Sequence, residues 1–281
     1  MSRTRETTLS RRTRLLLAAI SVAAFSLPLY IAAVNVFKFN TQITRQPLAL
    51  PSPVTTQNLV DGLTRSDNLL WIGLRNSTII SIATVVLIVP VAATVAYWVV
   101  RRRNRITKIA LMVLMSGMMI PPHVVFIPAV EVLEFLGIAR TFPGLVLFNV
   151  GGGFLSFAVF VYVGFMLTLP KNLDEAALVD GATRMQMLMY VVFPLLRPAT
   201  ATVAIFIGLW TWNDLVTPLF ILGPSQGITI TSGIFVALGQ YNNDYGQMFG
   251  IMFLASIPIL IYYLLLQKQF TSGLLSGSSK G

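Results

Sequence analysis

Six apolar runs, each long enough to cross a bilayer, restrict this chain more than any other feature. They extend from about Leu15 to Val36, Ser77 to Val100, Ile109 to Val130, Pro143 to Leu169, Val191 to Leu222 and Gln247 to Leu266. A helix needs roughly 20 residues to cross the hydrocarbon core, and a backbone in lipid must satisfy its own amides and carbonyls, which a helix does within one segment. The expectation is an all-α membrane protein with six transmembrane helices. Composition agrees, because 55% of the 281 residues are hydrophobic and 11% charged, too little polar surface to cover a soluble domain. The fifth run exceeds the requirement, which predicts a tilt, a break near Pro218, or an end before Leu222.

Basic residues orient the runs. Arg3, Arg5, Arg11, Arg12 and Arg14 come before or at the start of the first; Arg101, Arg102, Arg103, Arg105 and Lys108 separate the second from the third; Lys171, Arg184 and Arg197 surround the start of the fifth; Lys268 and Lys280 follow the sixth. Only Lys38, Arg45, Arg65, Arg75 and Arg140 fall on the other side. The positive-inside rule then makes the N-terminus, the C-terminus and the segment between runs four and five cytoplasmic. The net charge of +10 reflects this topology and contact with anionic headgroups. It argues against a nucleic-acid partner, since the charges flank spans and form no continuous face. The chain divides into a basic segment (1–14), a six-span domain (15–266) and a tail (267–281). The unbroken first run is longer than a signal-peptide core and is expected to stay as a helix. With no Cys, disulfides, thiolate catalysis and cysteine-held metal are excluded.

Several features inside the runs bear on a passage through the membrane. Pro121-Pro122-His123 and Pro128 interrupt the third run, tolerable where the helix packs on protein or lines a cavity. His123, the sole histidine, is a candidate for such a path, as against a ring bonded to freed carbonyls. Gly151-Gly152-Gly153 in the fourth run permits close helix approach. In the fifth, Trp212, Asn213 and Asp214 combine an aromatic face with hydrogen-bonding groups, which suits a sugar; an interfacial anchor beside water is the other reading. A carboxylate in hydrocarbon costs roughly 2.5 to 3.5 kcal/mol, so Asp214 should face a cavity, a partner helix or the interface. Residues 37–76, with Pro47, Pro51 and Pro53, read as an irregular external loop closed by an Asn76-Ser77 helix cap; residues 223–246, free of Lys and Arg, read as another external loop.

The one long polar segment between spans runs from Pro170 to Pro198. Pro170 stops a helix, and Asn172 with Glu175 three residues on is a capping-box arrangement that starts another. Asp174 and Glu175 suit the positive end of its dipole, and Gly181 can take the left-handed conformation that ends it. Met185, Leu188 and Met189 then recur at helical spacing, an adaptable apolar face of the kind used for docking. The pattern predicts two short helices joined at Gly181.

Glu175-Ala176-Ala177, three residues, Gly181, nine residues and Val191-x-Phe193-Pro194 resembles the E-A-A-x3-G-x9-I-x-L-P signature of permease subunits of bacterial ATP-binding-cassette importers, with Val191 for the usual Ile and Phe193 for the usual Leu. Asn76-Ser77, Pro121-Pro122, Ile127-Pro128, Asp180-Gly181-Ala182, Phe193-Pro194-Leu195 and Trp212-Asn213-Asp214 extend the resemblance to the carbohydrate-importer branch, similar to the smaller maltose-transporter permease, over about Leu15 to Leu266. What this resemblance implies is a type I importer permease fold in the bacterial inner membrane. Residues of about 171–190 would form coupling helices, with Glu175, Ala176, Ala177 and Gly181, flanked by Asp174, Asp180 and Met185, meeting an ATPase subunit. Two P-loop ATPase subunits carrying ATP and Mg, a second related permease in a heterodimer, and an external solute-binding protein would complete an importer for a di- or oligosaccharide. The chain itself has no G-x-x-x-x-G-K-[ST] loop and no cofactor or metal site, so it is a transport subunit and not an enzyme. Permeases for a polyamine or glycerol phosphate are the alternative within this class. Outside it stands a secondary transporter, for which only Asp214 qualifies as a mid-membrane carboxylate and no inverted repeat is visible.

Overall fold

The computed structural model describes residues 11–102, 104–170, 172–179, 181–223, 227–240 and 244–278, and among them every regular element is helical. In chain order these are α1 (Arg11–Asn35), α2 (Asn40–Arg45), α3 (Gln57–Leu63), α4 (Leu69–Arg102), α5 (Arg105–Gly117), α6 (Phe126–Phe135) and α7 (Phe142–Asn149). They continue with α8 (Leu155–Met166), α9 (Asn172–Val179), α10 (Arg184–Gln186), α11 (Phe193–Leu195), α12 (Arg197–Asn213), α13 (Val216–Ile221), α14 (Ile230–Gln240) and α15 (Tyr245–Ser278). A 3-10 turn over Pro122–Val125 leads into α6, and π-helical turns at Val150–Phe154 and Met187–Val192 join α7 to α8 and α10 to α11.

Four helical stretches are long and apolar enough to cross a membrane, and six if each bent pair is one span. The bent pairs fall at the proline clusters. Residues 105–117 meet 122–135 at 97°, after Met118-Met119-Ile120-Pro121, and 184–195 meet 197–213 at 76°, between Pro194 and Pro198. The long fifth run does break, but at Asp214, whose extended backbone ends α12 four residues before Pro218. Both segments expected to lie outside hold more structure than their composition suggests. Residues 37–76 include α2, α3 and the first turns of α4, and 223–246 include α14.

The chain forms two compact units. One comprises residues 1–68 and 238–255. Its polar centre is Lys38, buried to 1% exposure, whose Nζ donates to Asn35 Oδ1 at 3.0 Å and to the carbonyls of Gln46 and Pro47 at 3.0 and 3.1 Å. Burial lowers the pKa of this ammonium from its usual 10.5. Asn58 of α3 donates from Nδ2 to the carbonyls of Val36 and Lys38, both at 2.8 Å. Gly246 and Gly250, one turn apart on α15, pass so close to Asn58 that a methyl group at either would collide with it.

The other unit, residues 69–237 and 256–281, is organised on α4. Ala92, Ala93 and Ala96 make α4 thin where α8 and α12 cross it, and Ile88, Val159, Met166, Leu196, Val203 and Ile207 fill the seam. Tyr162, fully buried, keeps its hydroxyl satisfied by donating to Thr200 Oγ1 at 2.9 Å. A second core of Ile80, Phe126, Leu133, Leu145, Phe148 and Ile221 packs α4 with α6, α7 and α13. Asn76 and Ser77 lie inside α4, contrary to the cap expected of them. Asn76 Nδ2 donates to the Ile228 carbonyl at 3.0 Å, and Ser77 Oγ accepts from the Ile230 amide at 2.9 Å, so they satisfy the entrance to α14.

Candidate functional site

The polar segment folds as its sequence suggests. Pro170 is outside any helix, and α9 begins at Asn172, one residue earlier than the capping box would place it. Asp174 and Glu175 occupy its first turn. At the other end Gly181 has φ +79°, its amide donates to the Leu178 carbonyl at 3.0 Å, and the Ala182 amide donates to the Ala177 carbonyl at 3.0 Å. That pair of bonds is the Schellman stop, and its left-handed residue is where glycine avoids a Cβ penalty. Thr183 then starts the second short helix with a box of its own, Thr183 Oγ1 accepting from the Gln186 amide at 3.3 Å and Gln186 Oε1 from the Thr183 amide at 2.8 Å. Thr183 and Gln186 had the S/T-x-x-E/Q spacing that marks such a start, a signal passed over in the sequence. Asp180 and Lys171 lie outside the described residues.

The two faces of α9 differ. Glu175, Ala176 and Val179 are exposed, Val179 to 87%, and beyond Gly181 so are Met185, Met189 and Tyr190. Asp174 and Ala177, three apart, turn inward, Ala177 against the α4–α8–α12 core. Asp174 meets the last turn of α4, where Arg101 Nε lies 2.5 Å from Oδ2 and Arg101 Nη2 donates to Oδ1 at 3.2 Å. The two side chains are only 12% and 13% exposed. Beside this pair opens a cavity of about 490 Å³ lined by Tyr97, Trp98, Arg102, Glu175, Arg184 and Met185 among others. Tyr97 closes one wall by donating to Met187 Sδ at 2.9 Å.

A second constellation lies within the spans. His123, Asn213 and Asp214 line one cavity of about 320 Å³ together with Phe148, Asn149, Gly152, Phe154, Trp210 and Thr217. Asp214 Oδ1 accepts from the Thr217 amide at 3.1 Å, so the carboxylate caps the short helix that follows the break. Asn213 Nδ2 donates to the Leu209 carbonyl at 2.9 Å. His123 meets Phe126 edge-on at 5.4 Å. Trp210, 40% exposed, is held by Phe154, Phe157 and Phe206 at ring separations of 5.7, 4.7 and 5.6 Å. The triple glycine opens this wall by breaking the helix, with Gly153 at φ +114°; among the described residues nothing lies within 4 Å of where a Cβ on Gly151 or Gly153 would sit.

Trp212 is not in that cavity. It is 7% exposed and lines a separate apolar cavity of about 230 Å³ with Ser81, Ile82, Gly208, Pro258 and Tyr262. The aromatic that accompanies Asn213 and Asp214 is Trp210, and helical spacing carried the signal: positions 210, 213 and 214 share a face, whereas 212 is about 200° from 210.

An all-helical, multi-span membrane protein with a pair of short, largely exposed helices between its apolar stretches is the class these features define. The family model for the binding-protein-dependent transport system inner membrane component matches residues 88–270, and the chain belongs to that family. It is 32% identical over 266 residues to the multiple sugar-binding transport system permease protein of Streptococcus mutans, covering 90% of this chain and 91% of that one. It is 30% identical over 275 residues to the melibiose/raffinose/stachyose import permease protein of Bacillus subtilis, covering 98% of each. Its fold matches a chain in the crystal structure of a bacterial ABC transporter that imports the acidic polysaccharide alginate, with a TM-score of 0.77, 20% identity, and 96% and 99% of the two chains covered.

Proposed function

We propose that this chain is one permease half of a bacterial ABC importer for a di- or oligosaccharide, driven through α9. The observation that carries the reading is the two-faced helix: Glu175, Ala176 and Val179 offered outward, Asp174 and Ala177 tied to the bundle, and a glycine stop at Gly181. A short helix with an exposed acidic-apolar face and fixed ends fits a cleft on a partner and passes its displacement to the spans. The partners are two ATPase subunits that hold ATP and Mg, a second related permease, and an external binding protein. The substrate class comes from relatives whose names specify sugars and from the cavity at Trp210, where an aromatic face stands beside the carboxylate and amides of Asp214, Asn213 and Asn149. In this arrangement six spans cross the inner membrane, counting each bent pair as one, and both termini are cytoplasmic. His123 borders the path; Trp212 supports it from behind.

The test is co-purification from mild detergent. The wild-type chain brings down a P-loop ATPase and a second six-span permease, while Glu175→Lys inserts normally and recovers the permease without the ATPase. Retention of the ATPase by Glu175→Lys would contradict the docking role.

A further inference from the structure

Among the described residues of α9, Asp174 and Ala177 are the two side chains that turn toward the bundle, and the helix also meets the turn at Met187–Val192. The other described residues of the helix are exposed. Its ends leave the helical path, at Pro170 on one side and at the left-handed Gly181 on the other, so no continuous helix joins α9 to its neighbours. Ala177 offers one methyl group to the core. The Arg101–Asp174 pair is different in kind. Arg101 Nη2 donates to one carboxylate oxygen while Nε lies against the other, and the two side chains are only 12% and 13% exposed at the edge of the cavity they help to line. Separating two such charges strands each in a poorly solvated place, so the pair stays closed while the elements on either side move. The helix it reaches is α4, the element on which α8 and α12 pack.

We propose that Arg101 and Asp174 are a positioning pair, a strut through which displacement of α9 enters α4 directly across space and not only along the chain. This rests on the docking role proposed for α9. Without the strut the ATPase can bind and cycle while α9 swivels on Pro170 and Gly181, and nucleotide is spent without moving the spans. The expected defect is therefore in the ratio of solute moved to ATP hydrolysed, with the complex still assembled.

The experiment uses the assembled importer in proteoliposomes, with uptake and hydrolysis measured on the same vesicles. Arg101→Gln is expected to co-purify with its partners as wild type does and to lower transport per ATP by about tenfold or more, and Arg101→Lys, which keeps the charge and loses the fork, to fall between. Because the chain has no cysteine, Arg101→Cys with Asp174→Cys can be bridged by a short bifunctional thiol reagent, and bridging is expected to restore the ratio toward wild type. An unchanged ratio in Arg101→Gln, or a bridged double variant no better than the unbridged one, overturns the strut. Loss of assembly in Arg101→Gln also overturns it, since the pair would then serve folding or docking. Failure of the docking role has its own signature, ATPase retention by Glu175→Lys, which leaves the ratio measurement unaffected.

Discussion

Single positions in this chain work by where they point. Trp210 and Trp212 have the same chemistry and opposite surroundings, one 40% exposed in a cavity with Asn213 and Asp214, the other 7% exposed behind it. Helical spacing puts them on opposite faces, but which face meets a polar cavity is decided only when Phe148, Gly152 and His123 arrive from other segments. Trp210→Ala removes an indole already packed by three phenylalanines and is expected to weaken sugar uptake by roughly tenfold, the order of one lost aromatic stacking contact. A rise in the half-saturating sugar concentration, with ATPase recovery unchanged, is the readout; the same loss from Trp212→Ala alone would argue for the other tryptophan. By contrast Glu175, Ala177 and Gly181 were legible without the fold, because a helix start, a helix stop and the spacing between them are local chemistry.

Elements show where periodicity stops being informative. The prolines of the third run announced its sharp bend, since a missing amide and a ring clash act on the adjacent turn whatever the surroundings, while the bend between Pro194 and Pro198 was not read from the sequence. The triple glycine was read as a close-packing surface, yet it serves as a helix break, because glycine permits both and only the neighbouring helices decide. The reverse happened on α15, whose apolar run gave no warning of a polar contact. Gly246 and Gly250 there leave room for Asn58, and Asn58 in turn holds the Val36 and Lys38 carbonyls. Gly250→Leu drives a side chain into the Asn58 backbone and is expected to destabilise that unit by about 1–3 kcal/mol, an overpacking cost. Thermal unfolding of the detergent-solubilised chain measures it, and an unshifted transition would mean that α15 stands further from α3.

At the scale of the whole molecule, sequence and fold speak to different partners. That the chain is all-helical with several membrane-length stretches was readable because lipid imposes length on apolar runs. Helix α1 illustrates this rule, with an apolar, exposed stretch long enough to cross a bilayer and polar contacts at its last turns through Tyr30 and Asn35. The segments expected to lie outside were less readable, since α2, α3 and α14 owe their helices to tertiary hydrogen bonds such as those of Lys38, Asn58 and Ser77. In the proposed function, α9 links the spans to an external motor. The decisive measurement is sugar uptake into sealed proteoliposomes, with the chain reconstituted either in its purified complex or alone. Uptake that needs ATP on the α9 side and the binding protein on the other, and that is absent from vesicles holding this chain alone, is the predicted result. Concentrative uptake by the chain alone, driven by an ion gradient without ATP, would contradict the account and make the protein a secondary carrier.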